Sequence, residues 1–147
     1  MVQPKKILGI DFGERRMGVA LTDSSCTLAT GYTTIDCKKN PQPLLVLCKI
    51  IEEENVASIV VGYPYRTDGK QGGKTEDVDV FIKELQKETA LPIFKQDESY
   101  TSERAQEIIR FNRPSKKKRK NFKQAKEEID KIAATLILQD FLDKGEA

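Results

Sequence analysis

Apolar residues fall into short runs near the N-terminus and into helically spaced sets further on. Ile7-Leu8-Gly9-Ile10 and Met17-Gly18-Val19-Ala20-Leu21 are two such runs, joined by a short connection that carries Gly13 and Arg15-Arg16. Two β-rich runs linked this way predict a hairpin. Residues 28–35, with Thr30, Tyr32, Thr33 and Thr34, have the β-branched and aromatic content of a third strand, so an antiparallel meander is expected. Pro41 and Pro43 then open a helix over residues 44–55, with Leu44, Leu47, Cys48 and Ile51 at helical spacing. Residues 56–61 (VASIVV) do not alternate, as expected of a strand buried on both faces.

That strand ends at Gly62-Tyr63-Pro64-Tyr65, and a Gly- and Lys-rich loop over residues 66–74 follows. Thr75 can cap a helix reaching Glu88, with Val78, Phe81, Ile82 and Leu85 inward. Residues 91–95 predict a fifth strand that runs into Asp97-Glu98. Thr101 or Ser102 caps a further helix, and a last helix spans residues 124–143, apolar at Ile129, Ile132, Ala133, Leu136, Ile137 and Phe141. The order β-β-β-α-β-α-β-α-α, without an internal repeat, predicts an α/β fold with a mixed five-stranded sheet and helices on both faces. At 147 residues it is one domain, spanning 1–147, with room for a real core.

Composition changes the picture in three ways. There is no histidine, which excludes imidazole as base, metal ligand or triad partner. Catalysis would then fall to Asp, Glu, Lys, Tyr or a metal, and carboxylates suit a hard cation such as Mg²⁺. Cys26, Cys37 and Cys48 are isolated, with neither a disulfide framework nor a zinc spacing, and read as packing thiols. Net charge is only +2, but Arg113, Lys116, Lys117, Lys118, Arg119, Lys120 and Lys123 concentrate seven positive charges without an acid among them. The remaining 18 basic residues face 23 acidic ones, and a basic patch on an acidic body suggests a polyanionic partner. No apolar run approaches membrane-spanning length and the first residues lack a signal-peptide core, so a cytoplasmic protein without a membrane partner is expected.

Three acids stand out. Asp11 ends the first predicted strand, Glu98 follows the fifth, and Asp130 sits beside Ile129 at the rim of the last helix's buried face. Groups beyond the carboxyl ends of parallel strands gather at one edge, so these acids could share a site. Two Mg²⁺ ions about 4 Å apart on such a cluster can activate water and stabilise a leaving oxygen in phosphodiester cleavage. Each acid also has a plainer reading: Asp11 as a turn former, Glu98 as an acid near a helix start, and Asp130 as a solvated helix residue. The apolar segment with Asp11 and Gly13 also resembles the phosphate turn of the actin and sugar-kinase superfamily, whose members need two such domains.

The chain resembles a family along nearly its whole length, through Gly9-Ile10-Asp11-Phe12-Gly13 with Gly18-Val19-Ala20, then Val60-Val61-Gly62-Tyr63-Pro64, then Asp97-Glu98-x-x-Thr101-Ser102-x-x-Ala105, and Asp130-Lys131-Ile132-Ala133-Ala134 with Leu136 to Gln139. It is similar to the YqgF/RuvX family. The resemblance implies a ribonuclease H-like fold shared with RuvC resolvases. It implies a Mg²⁺- or Mn²⁺-dependent nuclease in which Asp11, Glu98 and Asp130 are both catalytic residues and metal ligands. The activity implied is maturation of the 5′ end of pre-16S ribosomal RNA, with Holliday-junction resolution on branched DNA or a catalytically weak ribosome-assembly module as alternatives. Two positions depart from the family pattern, which carries Arg where this chain has Ser99 and Asp77.

Candidate grips on nucleic acid are Arg15 and Arg16 in the hairpin turn, Arg66, Lys70 and Lys74 in the Gly-containing loop, and Lys116, Lys117, Lys118, Arg119 and Lys120. The last run has three readings, a solvated linker, a nuclear-localisation stretch or a phosphate grip, and its place before the helix with Asp130 favours the grip. The partners expected are structured RNA or branched DNA and pre-ribosomal particles, bound by a monomer or weak homodimer.

Overall fold

The computed structural model describes residues 5–64, 72–98, 104–108 and 122–144, with main chain only at 72–74 and 122–124. Strands β1 (Lys6–Asp11), β2 (Arg16–Thr22) and β3 (Ala29–Asp36) form the expected meander. Helix α1 (Pro43–Glu53), β4 (Val56–Tyr63), α2 (Gly72–Glu88), β5 (Ile93–Asp97), a short helical stretch at 104–108 and α3 (Phe122–Asp143) complete the described chain. The sheet order is β3-β2-β1-β4-β5. Pairing is antiparallel between β1 and β2 and between β2 and β3, and parallel between β1 and β4 and between β4 and β5. The mixed five-stranded sheet is therefore as the sequence predicts.

Alternation along the strands divides the core between the two faces. Leu8, Ile10, Val19, Ile59 and Val61 point into a cluster with Leu47 of α1 and Val78, Phe81 and Leu85 of α2. Ile7, Ala20 and Val60 point the other way, onto Ala134, Ile137, Leu138 and Phe141 of α3. One face thus carries α1 and α2 and the other carries α3.

Helix boundaries follow local chemistry. Pro43 occupies the first turn of α1, where a missing N–H costs nothing. Beyond the Glu54 cap, Asn55 adopts φ 55°, the left-handed conformation that Asn tolerates after a helix end. Helix α2 begins at Gly72, three residues before the expected Thr75, so Lys74 lies in its first turn and not in a loop. Strand β5 lies two residues further along than predicted and reaches Asp97.

Helix α3 is rotated relative to the sequence expectation. Its buried residues are Ala133, Ala134, Ile137, Leu138 and Phe141, while Ile129, Ile132 and Leu136 are only partly covered. Counting back from Phe141 through Ile137 and Ala134 in helical steps reaches Asp130. Asp130 therefore continues the sheet-facing stripe and does not sit at its rim.

Candidate active site

Asp11, Glu98 and Asp130 come from three distant parts of the chain, and three features of the sheet bring them to one end and one face. Asp11 lies two residues beyond Gly9, whose missing side chain would meet Leu138 and Ala134, so both face α3. Across the antiparallel ladder Asp11 pairs with Gly18. A Cβ on Gly18 would stand 1.8 Å from the main-chain oxygen of Asp130. The absence of a side chain at Gly18 is thus what lets Asp130 settle beside Asp11.

Glu98 arrives from the other side. The Asp97-Glu98 pair straddles the sheet: Asp97 pairs with Tyr63, while Gly62 opposes Gln96. The Phe94 ring packs at a tilt against Phe141 of α3 at a centroid separation of 5.4 Å, so alternation places Phe94, Gln96 and Glu98 on the α3 face. The Glu98 main-chain N–H donates to the Tyr63 carbonyl oxygen at 3.2 Å, continuing the ladder by one residue. A Cβ on Gly62 would lie 3.3 Å from Cβ of Glu98 and 2.5 Å from Cδ1 of Ile137. Reading across the end of the sheet, the row is Asp130 over β2, Asp11 on β1, the side-chain-free Gly62 on β4, and Glu98 past β5. Adjacent strands are about 4.8 Å apart, so Asp11 is the central member.

Asp130 is largely withdrawn from solvent. Its Oδ2 accepts a hydrogen bond from Arg16 Nε at 2.7 Å, with the two side chains only 21% and 19% exposed. Burial pushes the Asp130 carboxyl above its ordinary value, and the Arg16 hydrogen bond and charge offset only part of that. Arg16 lies two residues before Gly18, on the same face, so a fixed cation stands beside the acids. Arg16, expected as a phosphate grip, has its Nε on Asp130, because a half-buried carboxylate needs a partner. Arg15 is exposed, as that reading requires.

The donor set consists of carboxylate oxygens, which suits a hard divalent cation. Among the described residues, however, no three Asp, Glu or Cys side chains already stand close enough to hold one ion together. Asp130 has its Oδ2 engaged by Arg16. The chemistry and placement of the three acids fit such an ion, whereas this arrangement of side chains does not close a shell around one.

Other expected site residues are placed less completely. Arg66, Lys70, Lys116, Lys117, Lys118, Arg119 and Lys120 lie outside the described residues, as does Ser99, and only the main chain is described at Lys74. Asp77 is exposed on α2 and lines a groove with Phe12 and Phe81, on the face opposite the acids. The three cysteines are free thiols, and burial raises those of Cys37 and Cys48.

A family model described as "RuvX: Holliday junction resolvase" matches residues 5–144. The chain belongs to the RuvX family. A protein of Koribacter versatilis named "Putative pre-16S rRNA nuclease" is 38% identical over 139 residues, covering 95% of this chain and 87% of that protein. A Syntrophus aciditrophicus protein of the same name is 35% identical over 138 residues, covering 94% and 88%. Thermus thermophilus RuvC in complex with a Holliday junction superposes with a TM-score of 0.55 at 9% identity, covering 97% of this chain and 96% of that one. Fowlpox virus resolvase in complex with junction DNA gives a TM-score of 0.55 at 12% identity, covering 97% and 99%. The RuvX chain therefore has the ribonuclease H-like fold of the RuvC resolvases, and by family it is a nuclease, a hydrolase of phosphodiester bonds.

Proposed function

We propose that this RuvX protein is a divalent-metal-dependent endonuclease acting in 5′-end maturation of pre-16S ribosomal RNA. The observation that carries the reading is the row of Asp130, Asp11 and Glu98 on one face of one sheet end. The names of its relatives supply the substrate. Asp11, Glu98 and Asp130 are the residues that would hold Mg²⁺ or Mn²⁺. When bound, the ion would supply Lewis-acid stabilisation of charge on phosphoryl oxygens.

The protein's own contribution is placement. The β1 and β5 ends fix Asp11 and Glu98 on rigid elements, and the Gly18 contact fixes α3 and with it Asp130. Arg16 compensates the Asp130 charge until a cation or phosphate group shares the site. Arg15, on the exposed turn, stands one residue away and can meet a phosphate directly.

The test is cleavage of precursor ribosomal RNA and of four-way junction DNA by purified protein, with Mg²⁺, with Mn²⁺ and with EDTA. Cleavage of the RNA that disappears with EDTA and in Asp11→Asn is expected. Cleavage that survives either change refutes the metal mechanism. The fold neighbours bound to junction DNA favour a second reading, junction resolution, which the DNA arm tests directly. Binding of both substrates with no turnover under any ion would point to a ribosome-assembly module.

A further inference from the structure

A groove of about 560 Å³ opens on the sheet face opposite the three acids, between α1, α2 and the β1–β2 turn. Its floor is apolar: Phe12 stacks on Phe81 with ring centroids 4.7 Å apart, and Met17 and Leu44 adjoin them. Its lips are Leu45 and Val80, 58% and 55% exposed. Large aliphatic side chains this far in water, at the mouth of an apolar cleft, mark a contact surface and not a core.

The described charged side chains that line it have one sign. Glu14, Asp77, Glu84 and Glu88 line the groove, and no Lys or Arg does among the described residues. Asp77, Phe81, Glu84 and Glu88 recur at helical spacing along α2, so the acids form a line beside the apolar floor. A phosphate backbone would be repelled here, which separates the groove from any nucleic-acid surface. An apolar cleft edged by carboxylates complements an amphipathic segment that carries Leu-type side chains on one face and Lys or Arg beside them.

We infer that this groove is a docking site for a basic amphipathic segment of a partner protein, seated against Phe12, Phe81, Leu45 and Val80 with its cations on Glu14, Asp77, Glu84 and Glu88. Because Phe12 follows Asp11 in the chain and points to the other face, the partner and the nucleic acid occupy opposite sides of the sheet and can bind together. The inference does not rest on which substrate is cut.

The experiment is fluorescence anisotropy on the full chain with a synthetic Leu- and Lys-containing amphipathic helix as probe, and its Leu- and Glu-containing counterpart as control. Saturable binding of the Lys peptide alone is expected. Leu45→Asp/Val80→Asp should weaken it by roughly tenfold or more, although these changes add negative charge that would strengthen a merely electrostatic association. Asp77→Asn/Glu84→Gln/Glu88→Gln should weaken it similarly and flatten its salt dependence. Both sets lie on exposed positions, and unchanged thermal melts confirm intact folding. Equal binding of the Glu peptide, or full affinity in Leu45→Asp/Val80→Asp, overturns the inference. So does self-association abolished by that double variant, which would make a second copy the occupant. Tighter probe binding after Lys116–Lys120 are replaced by Ala would assign the groove to the chain's own basic segment and overturn it equally.

Discussion

Gly18 and Gly62 are both close approaches of α3 to the sheet, but they differ in what a side chain would strike. At Gly18 the obstacle is the Asp130 main chain, which cannot yield without moving the helix. Gly18→Ala should cost about 3 kcal/mol or more and displace Asp130. At Gly62 the nearest atom is the tip of Ile137, which can rotate, so Gly62→Ala should cost about 1 kcal/mol. Urea denaturation of the two variants measures the difference, and equal losses would contradict the close packing of Asp130 on β2. The Arg16–Asp130 pair gives a prediction with a definite sign. Asp130 has its carboxyl raised by burial, so the folded state holds that proton more tightly than the unfolded one. Its contribution is favourable below the ordinary carboxylate range and is lost as pH rises through the raised folded value. Removing the partner in Arg16→Met should raise the carboxyl further and cost about 2 kcal/mol at neutral pH, with a smaller loss in acid. Carboxyl-detected NMR titration and melts across pH read both effects; an unmoved Asp130 in Arg16→Met would show that the pair is incidental.

Among elements, β5 and α3 decide the site. Strand alternation sends Glu98 to the α3 face and Asp97 to the opposite face, although the two acids are adjacent in sequence. Glu98→Gln should therefore abolish cleavage, while Asp97→Asn should leave most of it. Single-turnover assays distinguish them, and the reverse order would place the chemistry on the wrong side of the sheet. Helix α3 is anchored on β3 as well as on the core. Thr34 Oγ1 donates to the Glu127 carbonyl oxygen at 2.6 Å, and the Ala29 N–H donates to Gln139 Oε1 at 2.9 Å. These polar ties at both ends hold the rotation that points Asp130 inward. The 104–108 stretch is tied to the same helix through Arg104 and Asp140, 2.9 Å apart.

At the scale of the whole molecule, the basic run bears on binding and the acids on chemistry. Asp11, Glu98 and Asp130 are placed at one sheet end, and Lys116, Lys117, Lys118, Arg119 and Lys120 immediately precede α3 in sequence. Replacing those five with Ala should change stability by about half a kcal/mol or less, since the run contains no apolar residue that a core would use. It should weaken binding to all nucleic acids alike and reduce the slope of log affinity against log salt by up to about 4. Asp130→Asn should do the opposite, sparing binding and removing cleavage. Filter binding beside a cleavage assay separates the two; a five-Ala variant with wild-type affinity at low salt would leave the grip to Arg15 and the 66–74 segment.

Periodicity was enough for much of this fold because strand and helix patterns are local. The three-strand meander, the unalternating β4 and the helical spacings of α1 and α2 could each be read within a dozen residues. The candidacy of Asp11, Glu98 and Asp130 came from element ends and from a family resemblance, which local chemistry also carries. The rotation of α3 was not legible that way. Ile129, Ile132 and Leu136 make as good an apolar stripe as the one actually buried, and only the shape of the facing sheet selects between them. The signal was present in Gly9, Gly18 and Gly62, glycines inside strands, which mark close backbone approach; which helix approaches them depends on contacts with Leu138, Asp130 and Ile137, far away in the sequence. The same holds for Arg16. Its charge was visible in the sequence, but a guanidinium serves a phosphate or a buried carboxylate equally well, and the tertiary structure put Asp130 within its reach.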